Sequence, residues 1–370
     1  MGEGESEAYF QVVDQLSDVE RVCMARPARR FGGVMKSIVS TAAYVAAAIS
    51  VCALPLVAEQ APAGRQGGPG PAAPGPAMAQ GRGGFGGAGN LKVLLITKGH
   101  AYDREPFYQL FDQAPVGATS RWTHVEQPAA EIFFDPALAK DYDVFVFYDL
   151  NGNQADRRHP RVDKAGKPVP NKDGSPGFSW DPPPADLVAN TKALLRQGKP
   201  MIFLHHASAS WAHSWPEFTE VMGIACDWGQ PLRVRGVDHP KSGYFQNTKQ
   251  RITVVDKAHP ITQGLGDGFE IVDESYNCPI LEDSVHPLLR TDFTPKDVSL
   301  NLNSRSKFSN LAAWVKTAES SPIVYIQLGH DRVAWENPAF RTLLDNAIRW
   351  AASPDAMACA KKNPKRIFKN

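Results

Sequence analysis

The sequence contains no Cys-x-x-Cys pair and no His-x-x-x-His or Glu-x-x-His step, so no local motif fixes a zinc or redox site. No Walker-type lysine loop occurs, and no Gly-x-Gly-x-x-Gly opens a helix after a strand. The glycines at 81–87 precede the first strand, and nucleotide and nicotinamide cofactors are not expected. Charge of one sign is also missing: 40 basic against 39 acidic residues leave a formal net charge of +1, which argues against a nucleic-acid binder relying on strong general attraction to phosphates and leaves only a local patch open. Large apolar side chains are nearly absent from 61–90, where 11 Gly and 5 Pro accumulate. Such a stretch buries too little surface to offset the entropy of ordering it, and it reads as a disordered linker.

What is present divides the 370 residues into parts. Residues 1–60 read as a targeting region: Arg26, Arg29, Arg30 and Lys36 precede 22 uncharged residues, and small residues follow at 61–63. That is the order of an export signal, which places the protein in the periplasm or outside the cell. If the signal is not cleaved, 38–57 is long enough to anchor the chain, the one membrane contact expected. Residues 91–354 read as one α/β domain, and 355–370, with Lys361, Lys362, Lys365, Arg366 and Lys369, as a solvated basic tail. In an exported chain Cys226 and Cys278 are candidates for a disulfide, although spacing alone does not fix the pairing.

Short apolar runs at 91–97 (LKVLLIT), 143–148 (DVFVFY), 199–204 (KPMIFL) and 322–328 (PIVYIQL) predict strands covered on both faces. Helical periodicity at 105–113, 185–197, 215–222 and after Asn337-Pro338 falls between or after them. This alternation predicts a flavodoxin-like, doubly wound, mainly parallel sheet, and 251–255, 269–272, 288–290 and 311–316 add a small antiparallel extension. The Pro-, Gly- and charge-rich stretch 153–184 comes after a strand end and is read as a cover for a cleft there.

The candidate site comes from the residues just beyond the strands. In open α/β sheets the ligand crevice lies past the carboxyl ends of the strands. There the sequence places His100 after the first run, Asp149 and Asn151 after the second, His205, His206 and Trp211 after the third, and His330 and Asp331 after the fourth. A strand-rich segment adds Asp273, Glu274 and Tyr276. Singly, each has a structural alternative as a cap, turn or core residue. Together they define a shared site, with His205, His206, His330 and Glu274 as acid–base candidates and His100, Asp149, Trp211, Asp273, Tyr276 and Asp331 as substrate contacts. The same nitrogen and oxygen inventory suits a divalent metal, although no cofactor is required.

The segments GHAYDREPF (99–107), YDVFVFYDLNG (142–152), FLHHASASWAHSWPEF (203–218), AHPITQGL (258–265), DESY (273–276) and LGHDRVAWENPAFRTLLDNAIRWAA (328–352) resemble the ThuA-like, or trehalose-utilisation, family. The resemblance implies a class I glutamine amidotransferase-like fold, but the cysteine nucleophile of true amidotransferases is missing. The corresponding strand end reads Phe203-Leu204-His205-His206-Ala207, so a glutaminase is not expected. It also implies a carbohydrate or 3-keto-sugar ligand and a sugar dehydrogenase as pathway partner. Three functions fit: a carbohydrate-processing isomerase, lyase or hydrolase, a non-catalytic carbohydrate-binding module, and a metal-dependent hydrolase.

Overall fold

The structure is a computed structural model, and it describes residues 84–153, 155–293 and 309–368. Residues 1–60, read above as a targeting region, and most of the stretch read as a linker lie outside the described residues. Ten strands form one mixed sheet. In chain order they are β1 (Phe85–Gly87), β2 (Leu91–Lys98), β3 (Ser120–Glu126), β4 (Val144–Asp149), β5 (Met201–Leu204), β6 (Gly243–Val254), β7 (Gly268–Asn277), β8 (His286–Thr291), β9 (Leu311–Ala318) and β10 (Ser321–Ile326). Across the sheet the order is β1-β3-β2-β4-β5-β10-β9-β8-β6-β7. Strands β3, β2, β4, β5 and β10 run parallel, and every other pairing is antiparallel.

The continuous apolar runs become the inner parallel strands because helices cover both of their faces. Alternate residues of β2 point to opposite layers, Val93 and Leu95 to one and Leu94 and Ile96 to the other. The first layer receives Phe107, Leu110 and Phe111 of α1 (Arg104–Asp112). The second receives Leu187, Leu194 and Leu195 of α2 (Ala185–Gln197) and Phe218 of α3 (Pro216–Met222). Beyond β10 come α4 (Arg332–Glu336), α5 (Pro338–Ala351) and α6 (Pro354–Lys362). Helix α5 buries Leu343, Leu344, Ala347 and Ile348 in the first layer, and Asn337 caps it by accepting from Ala339 and Phe340 N–H.

The structure differs from the sequence expectations at three places. The antiparallel extension is not small: β9, β8, β6 and β7 continue the sheet, and β6 is polar because much of its length faces solvent. The linker ends earlier than residue 90, since β1 pairs with 121–123 of β3. The basic tail is not a free tail. Its first part is α6, which buries Ala356 and Ala360, and Phe368 is buried against the second layer. Lysines hid this, because their charged ends stay in water while alanines make the contact. The Glu319 carboxylate then fastens the end by accepting from Ile367 and Phe368 N–H. Ser353 caps α6 by accepting from Ala356 N–H, so Ser353→Ala is expected to lower stability by about 1 kcal/mol in chemical denaturation.

Cys226 and Cys278 form a disulfide that closes a loop of 52 residues. It ties the turn after α3 to the end of β7. The 153–184 insertion is ordered as a ribbon, Arg158–Pro160 pairing with Phe178–Trp180. It docks beside the sheet: Trp180 stacks on His213 at 3.6 Å, Arg157 lies over Trp211, and Asn171 bonds Gln230 at 2.7 Å. Among the described residues no helix is long and apolar enough to cross a membrane.

Candidate functional site

The site is built on two turns. Strand β5 passes directly into the short 3-10 helix His205–Ala209, and His205 takes the left-handed region at φ 50°. This conformation costs a β-carbon-bearing residue about 1–3 kcal/mol and persists only where the surroundings enforce it. Tyr325 supplies part of that by donating its hydroxyl to the His205 carbonyl at 2.7 Å. The His205 ring is fixed from below as well, Nδ1 donating to the Gln327 carbonyl at 2.7 Å. The second turn comes after β10, where Gly329 at φ 112° directs the chain so that His330 returns towards His205. A β-carbon at Gly329 would meet the Phe340 ring at 2.8 Å.

With Nδ1 engaged by the Gln327 carbonyl, Nε2 is the ring atom turned to the cluster. That atom lies 3.1 Å from His330 Nδ1, 3.2 Å from Glu274 Oε2 and 2.5 Å from the Tyr276 hydroxyl. Glu274 Oε2 is also 3.3 Å from His330 Nδ1. Although β7 is the far edge of the sheet, its end curls back over the parallel half, so Glu274 and Tyr276 reach β5. Asp273, on the same strand, accepts from the N–H groups of Gly329, His330 and Glu274 at 2.7, 3.0 and 2.8 Å, locking the second turn to β7. Two further imidazoles complete the cluster: His206 stacks on His100 at 4.7 Å, and His100 meets the edge of His330 at 5.3 Å.

Burial orders the electrostatics. It holds the His206 ring well below the ordinary histidine range, with His205 and His100 adding to the effect, so His206 is neutral. His100 is lowered for the same first reason. For Glu274 burial works upward, but the hydrogen bonds with His205 and His330 outweigh it and keep the carboxylate ionised. His330 is raised chiefly by its hydrogen bond with Glu274. Its side chain retains 17% exposure, and it and the half-buried His100 are the solvent-facing members. The cluster therefore offers neutral imidazoles, an anionic carboxylate and a solvent-accessible edge in one place, which suits proton transfer or cation binding.

Of the ten candidates, His100, His205, His206, Glu274, Tyr276 and His330 come together. Four do not join them as ligand contacts. Asp149 is buried and turned away, accepting from the Gln127 amide at 2.9 Å and the Ser210 hydroxyl at 3.3 Å. Trp211 is 2% exposed, packed against Trp215 and beneath Arg157, and it offers no open ring face for a sugar. Asp273 serves the backbone. Asp331 caps α4 by accepting from Val333 and Ala334 N–H. The residues that the sequence did not single out are Gln327, Tyr325 and Tyr148, whose hydroxyl donates to the Gly329 and His330 carbonyls. One signal was available, a glutamine inside the otherwise apolar run PIVYIQL.

The fold and site define an α/β protein with a histidine–carboxylate cluster at the carboxyl edge of its parallel strands. Residues 179–351 match the model of the ThuA family, described as trehalose utilisation. A search of the curated proteins finds no match. Among solved structures, a protein described as ThuA-like from Parabacteroides merdae is 18% identical, covering 71% of this chain and 90% of that one at a TM-score of 0.50. Another so described, from Bacteroides uniformis, is 17% identical, covering 71% and 92% at 0.44. The PurLQS structure from Thermotoga maritima is 10% identical, covering 70% and 98% at 0.40.

Proposed function

We propose that the protein acts on carbohydrate, in disaccharide or 3-keto-sugar utilisation, through acid–base chemistry at the histidine–glutamate cluster. The family description supports the substrate class. The observation that carries the chemistry is the meeting of His205, Glu274 and His330, whose ligand atoms lie within 4.8 Å of one another beside His100 and His206. A ketone on a sugar acidifies the neighbouring C–H, so groups able to take and return a proton suffice for isomerisation, hydration or elimination. His330 and His100 face the ligand, Glu274 holds the charge of the pair, and His206 donates an uncharged N–H to a sugar oxygen.

Glutamine hydrolysis is a poor fit. The order of the five parallel strands, second-first-third-fourth-fifth, supports a flavodoxin-like reading of a class I amidotransferase-like fold. In such a fold the strained turn after β5 carries the nucleophile, and here that position is His205. Cys226 is engaged in a disulfide. A sugar dehydrogenase acting beforehand would supply the keto group. Export to the periplasm or beyond rests on the basic-then-apolar order of residues 26–57 and is checked by cell fractionation.

Incubating the protein with 3-keto-disaccharides and following the sugars by NMR tests the proposal. Conversion is expected, with His330→Ala and His206→Ala slower by roughly 100-fold or more. Binding without turnover, unchanged in both variants, would leave the protein a carbohydrate-binding module and overturn the acid–base assignment.

A further inference from the structure

We propose that His205, Glu274 and His330 form a binding site for one divalent transition-metal cation. The three ligand atoms make a nearly equilateral triangle, with sides of 3.1 Å between the two ring nitrogens, 3.2 Å from His205 Nε2 to Glu274 Oε2 and 3.3 Å from His330 Nδ1 to the same oxygen. Donors about 2.1 Å from a metal stand about 3.0 Å apart on adjacent octahedral positions and about 3.4 Å apart on tetrahedral ones. All three sides fall in that interval.

The supporting shell matches as well. His205 Nδ1 donates to the Gln327 carbonyl, which leaves Nε2 directed into the triangle; ligating histidines are oriented by such a second hydrogen bond. Asp273 fixes the backbone of both other donors through Glu274 and His330 N–H. Hydrogen bonds of Glu274 with His205 and His330 hold the three donor atoms at this spacing. His205 Nε2 faces the Tyr276 hydroxyl at 2.5 Å, a second imidazole nitrogen and a carboxylate oxygen. A cation engages all three donors of the triangle at once.

Two nitrogens and one carboxylate oxygen suit zinc, iron, cobalt or nickel better than calcium or magnesium. Three protein donors leave positions open for water or a ligand oxygen. Beside them sits His206, fully buried, whose ring nitrogens find no hydrogen-bond partner of normal geometry among the described residues. A polar occupant bridging the cation and His206 satisfies both. A sugar with adjacent hydroxyl and carbonyl oxygens has that shape. Only this last step rests on the carbohydrate reading above; the cation site stands on the donor geometry.

The test is cobalt titration of the full chain after chelator treatment, read by visible absorption. About one equivalent of cobalt is expected to bind, with the intensity of a low-coordinate nitrogen–oxygen site. Glu274→Gln and His330→Asn are expected to weaken binding at least about 100-fold. His213→Ala, outside the cluster, should bind as the parent protein does, and circular dichroism confirms that each variant is folded. Absence of saturable binding, or equal affinity in folded Glu274→Gln and His330→Asn, overturns the site. Cobalt binding with neither binding nor turnover of any sugar leaves the site standing and overturns the carbohydrate reading; sugar turnover with no cation binding does the reverse.

Discussion

Asp273→Ala is expected to lower the free energy of unfolding by about 4–5 kcal/mol, close to the whole stability of a marginal domain. The carboxylate is 2% exposed and accepts three backbone N–H groups, those of Gly329, His330 and Glu274. Alanine leaves all three donors without a partner in a place that water does not readily reach, at about 1–3 kcal/mol each. Part of this is returned, because burial pushes the Asp273 carboxyl above its ordinary range and its desolvation is relieved on removal. Asp273→Asn keeps one acceptor oxygen and should lose about half as much. Chemical denaturation measures the difference, and hydrogen exchange at the Gly329 and His330 amides locates it. A loss below about 1 kcal/mol in Asp273→Ala would mean that the two turns hold each other without the aspartate.

The second large effect concerns pH. Burial raises the Asp149 carboxyl from 3.8 to about 7, against the opposing hydrogen bonds from Gln127 and Ser210. A carboxyl whose folded pKa lies above its unfolded value binds its proton more tightly in the folded state. Stability from this group is therefore complete below pH 4 and is lost as pH rises, the loss ending once pH passes about 7. The interval corresponds to roughly 4 kcal/mol. Asp149→Asn removes the titration and keeps one acceptor oxygen for the Gln127 amide, while Ser210 retains its bond to the residue 149 backbone carbonyl at 3.1 Å. Comparing unfolding free energies at pH 4, 5.5 and 7.5, the advantage of Asp149→Asn over the parent is expected to grow with pH. Parallel profiles for the two proteins would show that Asp149 titrates normally.

These aspartates show why the site was only partly legible. Adjacent residues at the end of a strand point to opposite faces. Tyr148 turns its hydroxyl to the Gly329 and His330 carbonyls, while Asp149 faces Gln127 and Ser210. Sequence position places both at the same strand end and does not say which face carries the site. Trp211 departs from its expected role for a related reason: an aromatic beside polar residues is a binding platform or a core residue depending on what covers it, and here Arg157 from the insertion and Trp215 do. His213 pairs with Asp227 at 2.7 Å under Trp180, a contact between segments that no spacing rule connects.

The sequence by itself determined the alternation of strands and helices, because buried parallel strands must be continuous apolar runs and covering helices must carry an apolar stripe. It also placed His100, His205, His206 and His330 at strand ends and Glu274 in a strand, since residues beyond a strand's carboxyl end are free of the sheet's packing demands. Only the tertiary structure decided which of these meet. The left-handed turn at His205, the carbonyl of Gln327 that orients its ring and the curl that brings Glu274 across the sheet all depend on contacts between segments distant in the chain. The physical reason is that local sequence constrains backbone conformation and burial, whereas the direction of a side chain's lone pair is set by the atom on its other side.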